Sequence, residues 1–331
     1  MNKIISALSL IPCLVLVLAC SSKSQEIQIV ETQKNTEFEV LNDTIFLGKI
    51  VDIDFYEGRF FLLDRLATKV YELDQEYQLI KTHLTQGDGP DEVSSLTNIA
   101  IHNKRIYLLD SKSSSIKSFL FDGSLDMKHR IPNLFTTDFI VESDNLFYGD
   151  FRGQDPIVRI NLLDKESKGF GVKRSWPNKS FYVQRLLEVT PNKQLISALS
   201  YDKPILDLYE FNGQLVTSLD LSNLELFRYT HEKFKTDVQT RKNASLVYIK
   251  DISLVDNKIY LLVSSFTNQL KNRYNHVIEC TISNNKITPT KIIKLEPDSY
   301  YLSISVYNGG RNIIGFDAAT NSVKIFDINQ N

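Results

Sequence analysis

One unit recurs through the chain and limits what the chain can fold into. Arg105-Ile-Tyr-Leu-Leu-Asp110 is an apolar run ending in Asp, and residues 111–115 form a short polar turn. Ile116-Lys-Ser-Phe-Leu-Phe-Asp122-Gly123 then alternates and ends in an Asp-Gly turn. Alternation bounded by turn residues reads as a β-hairpin. The unit returns at residues 60–64 with 70–74, 146–150 with 157–161, 195–202 with 206–213, 259–264 with 277–283, and 313–317 with 323–327. Six copies therefore recur at a period of about 50 residues.

Units of that length, arranged radially, predict an all-β protein: a six-bladed β-propeller of four-stranded antiparallel blades. The innermost strands are expected at residues 51–55, 98–101, 138–141, 186–189, 251–255 and 302–307. The sixth blade supplies only three strands before the chain stops. An N-terminal strand joining the last blade would close the ring, and residues 44–49 are assigned to it because Ile45 and Leu47 share one face. Closure removes an open sheet edge that would otherwise pair with other chains. The propeller is expected over residues 38–331, and a chain of 331 residues, 42% hydrophobic, can bury such a core.

The N-terminus reads as an address. Lys3, the apolar run 4–18 and a small residue before Cys20 describe a signal peptide over residues 1–19. Val17-Leu-Ala-Cys20 resembles the bacterial lipobox, which implies lipidation of Cys20 and membrane attachment through that lipid. Residues 20–37 are polar and lack a periodic face, so they are assigned to a flexible tether whose removal would cost little. The expected location is the cell envelope, anchored to the outer membrane, with the periplasmic and outer faces both open. Cys13 and Cys20 lie in the address and Cys280 is alone, which excludes a disulfide framework. Net charge is −2 with no basic stripe, which argues against nucleic acid as a partner. The chain is expected to be monomeric.

Loop length nominates one face. The turns between strands one and two, and three and four, are tight, as in Tyr56-Glu-Gly58, Asp122-Gly123 and Asn212-Gly213. The long connections, 83–97, 173–185, 222–248 and 265–276, all fall on the opposite face, where function is expected. Residues 222–238 have a capping-box start and helical apolar spacing, which predicts a helix capping the ring or covering its opening. Arg65, Arg152, Trp176, Tyr182, Arg185, Tyr201, Arg273 and Tyr274 collect on the long-loop face. Flat rings with guanidinium groups suit a glycan, a peptide or an envelope protein, bound without catalysis and without a cofactor.

Gly87-Asp-Gly-Pro-Asp-Glu92 resembles the Gly-x-Gly-Pro-x-Glu segment of NHL-type propellers. With the Leu-Leu-Asp hairpins, the chain resembles the six-bladed, TolB-like propeller lipoproteins of Gram-negative bacteria. The two glycines are assigned to a strained turn rather than a phosphate loop, because no Lys-Ser/Thr follows. Aligned on their turns, the inner strands put Asp52, Asn98, Asp138, Asp251 and Ser303 at one level, with Arg185 or Leu187 nearby from blade four. An oxygen ring suits a divalent cation such as Ca²⁺ or Mg²⁺. It also resembles metal-dependent lactonase propellers, which implies an alternative function as a metal-dependent hydrolase or lactonase. The plainer reading is a solvated or structural ring. The hairpin aspartates Asp64, Asp110, Asp150 and Asp317 are expected to cap their own turns.

Overall fold

The computed structural model describes residues 27–87, 89, 91–131, 138–175, 182–201, 203–238, 246–266 and 272–328. Its architecture follows from the repeated apolar runs being buried on both faces. In Arg59–Asp64, Phe60 and Leu62 enter one apolar cluster while Phe61 and Leu63 enter the next. A strand covered on both sides need not alternate in polarity. Six sheets therefore stack around a ring, with one apolar cluster at each of six seams.

The N-terminal segment holds β1 (Gln28–Glu31), β2 (Gln33–Phe38), β3 (Val40–Leu41) and β4 (Ile45–Phe46). Blade one is β5 (Ile50–Tyr56), β6 (Arg59–Asp64), β7 (Lys69–Leu73) and β8 (Leu79–His83). Blade two is β9 (Leu96–His102), β10 (Arg105–Asp110), β11 (Ser115–Leu120) and β12 (Leu125–Arg130). Blade three is β13 (Phe139–Glu142), β14 (Asn145–Gly149), β15 (Ile157–Asn161) and β16 (Ser167–Phe170). Blade four is β17 (Arg185–Val189), β18 (Gln194–Leu199), β19 (Ile205–Glu210) and β20 (Leu215–Asp220), followed by α1 (Glu225–Val238). Blade five is β21 (Ile249–Val255), β22 (Lys258–Phe266), β23 (Asn272–Ser283) and β24 (Lys286–Lys294). Blade six is β25 (Tyr301–Tyr307), β26 (Asn312–Asp317) and β27 (Ser322–Asp327), completed from the N-terminus.

An N-terminal strand does close the ring, but a different one from that expected. β2 pairs antiparallel with β27, Phe38 opposite Val323 and Gln33 opposite Asp327, with a bulge after Lys34. Residues 44–49 contribute only β4, which pairs with β3. The assignment failed because an outer strand needs no apolar face: β2 reads Gln-Lys-Asn-Thr-Glu-Phe and is exposed along almost its whole length. Polar contacts hold it instead, with the Ser322 hydroxyl donating to Glu37 at 2.7 Å and Lys34 pairing with Glu296 at 2.9 Å. The tether assignment fails from Gln28 onward for the same reason. β1 adds a fifth, parallel strand to β24 and buries Val30 in the seam between blades five and six. Cys20 and the address lie outside the described residues.

The helix caps a seam. Phe227 is buried with Leu246 and Tyr248 in the cluster between blades four and five, where Leu224 and Phe234 also pack. The hairpin aspartates hold turns, as expected. Asp64 accepts from the N–H groups of Gly48, Lys49, Leu66 and Ala67, and Asp317 from those of Tyr300 and Ala319 and from Lys324 Nζ at 2.8 Å. The Gly87–Gly89 turn closes on its own Glu92, whose carboxylate accepts from the Gly89 N–H at 2.7 Å. A Cβ on Gly87 would meet that carboxylate at 2.0 Å, so the loop has no vacant cradle for a phosphate.

Candidate functional site

The six inner strands surround a tunnel with two chambers, of about 470 and 330 Å³, that meet at Asp52, Asn98 and Asp251. The larger chamber opens among the tight turns, past Tyr56, Glu142 and Asn308. The smaller opens on the long-loop face, past Lys49, Arg65, Gln184, Tyr201 and Lys250. The two ends are chemically opposite.

Around the larger chamber the carboxylates join neighbouring blades. Asp52 accepts from the Ile99 N–H (2.9 Å) and the Asn98 amide (2.8 Å), Asp138 from the Leu187 N–H (2.6 Å), and Asp251 from the Ile304 N–H (2.7 Å). The other oxygen of each accepts from the next residue of its own strand: Ile53, Phe139 and Ile252, at 2.8–2.9 Å. One level on, Asp54 accepts from the Ile101 N–H at 2.6 Å and Ser253 from the Val306 N–H at 3.0 Å. This register makes Leu186, rather than Arg185 or Leu187, the blade-four member of the ring, and it carries no polar group. The seam it faces is the helix-capped one.

These carboxylates border the tunnel but are surrounded by protein, so few waters hydrate them. Burial pushes Asp138 up to about 8 and both Asp54 and Asp251 up to about 6. Burial, then the neighbouring Asp251, raises Asp52 well above the usual carboxylate range. Glu188 is raised well above it too, by burial and then by Asp54, Asp138 and Asp251. Crowded acids in a poorly hydrated space disfavour their own charge.

The expected cation cage of Asp52, Asn98, Asp138 and Asp251 does not assemble. Among the described residues no group of three or more acidic, histidine or cysteine side chains is placed to hold a metal. Both oxygens of each ring aspartate accept hydrogen bonds that tie its own strand to the next blade, which is a structural use of the ring.

The long-loop mouth differs in carrying cationic side chains. Lys49 and Arg65 flank the start of β5 and the end of β6, with the Arg65 N–H bonded to the Lys49 carbonyl at 2.9 Å. Lys250 is the second residue of β21 and is half-buried. Its ammonium is pushed down by burial; Lys49 lowers it further, against the pull of Asp251 and Asp52. None of the three side chains makes a hydrogen bond or ion pair with another described residue. Tyr201, Gln184, Ser200 and Thr97 complete the wall.

Of the residues expected to bind ligand, Arg65 and Tyr201 line this mouth. Arg185 does not: it is 1% exposed inside blade four, bonded to Ser197 Oγ at 2.7 Å and to the Val172 carbonyl at 2.6 Å, beside Asp207. Tyr274 is 4% exposed and packs edge-on against Tyr300 at 5.1 Å. Arg273 is partly buried beside it on β23, its Nε without a hydrogen-bond partner. Tyr182 pins a loop of blade three by donating to the Gln154 carbonyl at 2.8 Å. Arg152 is exposed with its guanidinium 5.9 Å from the Phe151 ring. Trp176 lies outside the described residues. Sequence reasoning missed Lys49, Lys250, Gln184, Asp54 and Glu188. A two-residue step along the inner strands, from Asp52 to Asp54 and from Leu186 to Glu188, carried the signal for the last two.

A family model described as a 6-bladed beta-propeller, DUF5128, matches residues 23–236. The chain belongs to that family of six-bladed β-propellers. Among solved structures it is similar to a member of the DUF4221 family from Bacteroides vulgatus, with a TM-score of 0.60 and 12% identity over 90% of this chain and 97% of that one. It is similar also to virginiamycin B lyase from Staphylococcus aureus, with a TM-score of 0.53 and 11% identity over 88% and 98%. A third is the Pan2 WD40 domain of Neurospora crassa, with a TM-score of 0.52 and 9% identity over 86% and 90%. At these identities the likeness is one of fold. No curated protein matches the chain.

Proposed function

We propose that this protein is a non-enzymatic binding module, held at the cell envelope through a lipid on Cys20, that takes its ligand at the long-loop mouth of the tunnel. The observation that carries the reading is the 330 Å³ chamber there, with cationic side chains that have no hydrogen-bond or ion-pair partner among the described residues, and with Tyr201 in its wall. Chambers of this size suit a small ligand or the end of a larger one. The Gly-x-Gly-Pro-x-Glu turn supports a place among NHL-like and TolB-like propellers. The polarity of β1 agrees with an anchored arrangement: it runs toward the long-loop face, opposite Lys291 to Lys294, so the chain enters from the tight-turn side and leaves the mouth turned away.

Two measurements test this. Cys20→Ser should move the protein from the membrane fraction to the soluble one, and retention in the membrane would remove the anchor. Screening purified protein against glycans and peptides, with Arg65→Ala and Tyr201→Ala as controls, should find binding that both changes weaken. Binding untouched by both changes would displace the site. A stoichiometric divalent ion in the purified protein, lost in Asp138→Ala, would favour the metal-dependent hydrolase reading instead.

A further inference from the structure

We infer that the long-loop mouth selects an acidic saccharide, one or two rings long, through Lys49, Lys250 and Arg65; this rests on the mouth being the binding end. Lys49, Lys250 and Arg65 line the same chamber. Two ammonium groups and a guanidinium line one cavity, and among the described residues no carboxylate hydrogen-bonds or ion-pairs with any of them, so the site lacks an anion. The described acids beside it are engaged elsewhere. Asp64, beside Lys49 and Arg65, is 0% exposed and accepts from four backbone N–H groups. Asp52 and Asp251 form the chamber floor and are engaged by the neighbouring strands.

The remainder of the wall favours a sugar over a peptide. Tyr201 supplies a flat ring for stacking, and Gln184, Ser200 and Thr97 supply neutral donors and acceptors for hydroxyl groups. A chamber of 330 Å³ has room for one or two sugar rings. Either the carboxylate of a uronic acid or the sulfate ester of a sulfated sugar provides the anion, and Arg65 can grip both with its forked donors. Exposed charge pairs contribute little, but a half-buried lysine without a partner gains more from an anion that joins it.

The test is calorimetric titration of the whole protein with digalacturonate, a sulfated disaccharide and a neutral disaccharide, at low and high salt. An acidic sugar should bind at least about tenfold more tightly than the neutral one, and Lys49→Ala with Lys250→Ala should remove that preference. Binding should weaken as salt rises. The tighter of the two acidic probes identifies the anion as carboxylate or sulfate. Equal binding of neutral and acidic sugars, unchanged by the lysine substitutions but weakened by Tyr201→Ala, would overturn the acidic preference and leave the mouth as the binding end. Binding insensitive to all three substitutions would overturn both. If no saccharide binds, the saccharide class is wrong.

Discussion

The two ends of the tunnel are lined by ionisable groups of opposite sign, and only one end keeps them available. From the junction of the chambers toward the tight-turn end, Asp52, Asp138 and Asp251 each accept a backbone N–H from the next blade, so their geometry belongs to the ring. At the long-loop end, Lys49, Arg65 and Lys250 line a chamber and their side chains make no hydrogen bond or ion pair with a described residue. A lined cavity with a charged rim can therefore be scaffold or site, and the hydrogen-bond partners distinguish the two. Buried polar groups that are fully satisfied rigidify; those left unpaired in a cavity are open to a ligand.

The largest effect should come from erasing both ends together. A chain beginning at Glu39 loses β1 and β2, exposing the edges of β24 and β27. Aggregation on gel filtration is expected, or melting many degrees lower, while a chain beginning at Ile27 should match the full protein. Equal melting of the two would mean that the ring does not depend on β2.

Asp138→Ala should separate the ends. It unpairs the Phe139 and Leu187 N–H groups at a cost of about 3 kcal/mol, or roughly 6 °C in Tm. Affinity at the mouth should survive it. Lys49→Ala and Lys250→Ala should leave Tm unchanged or raise it slightly. A matching loss of stability from the lysines would make that end structural too.

The pH dependence sharpens the same contrast. Carboxyl groups whose folded values are raised, to about 8 for Asp138 and about 6 for Asp54 and Asp251, favour folding while protonated. That contribution is complete below the unfolded value, near 4, and is lost as pH rises through the folded values. Tm should therefore fall between about pH 5 and pH 9, and the fall should be shallower in Asp138→Asn. Among the ring substitutions the smallest effect expected is that of Ser253→Ala, which unpairs only the Val306 N–H, at about 1 kcal/mol by chemical denaturation.

Much of the ring was legible because its residues repeat. The apolar runs, most of them ending at an Asp, are buried on both faces, as a strand between two seams must be, and with their hairpin partners they marked all six blades. The inner-strand oxygens aligned correctly at Asp52, Asn98, Asp138, Asp251 and Ser303, yet their use could not be read: a carboxylate that bonds a neighbouring N–H and one that binds a cation look alike in sequence. β2 escaped notice because an edge strand exposed to water keeps no apolar alternation. Arg185 and Tyr274 were misplaced because arginine and tyrosine suit a surface by composition, while here Asp207 and Tyr300 receive them inside. Lys49 and Lys250 lie about 200 residues apart and share no motif in the sequence. Only the ring brings them to one chamber.

The most direct test of the central claim is the shift in melting temperature that digalacturonate induces in three proteins: wild type, Lys49→Ala/Lys250→Ala and Asp54→Asn. Ligand that binds only the folded state raises Tm by an amount that grows with the logarithm of one plus the ratio of free ligand to Kd. The account predicts the same upward shift in wild type and Asp54→Asn, whatever their starting Tm, and in the double lysine variant a shift no larger than a neutral disaccharide gives. A full shift without the two lysines, or one that vanishes with Asp54, would contradict it.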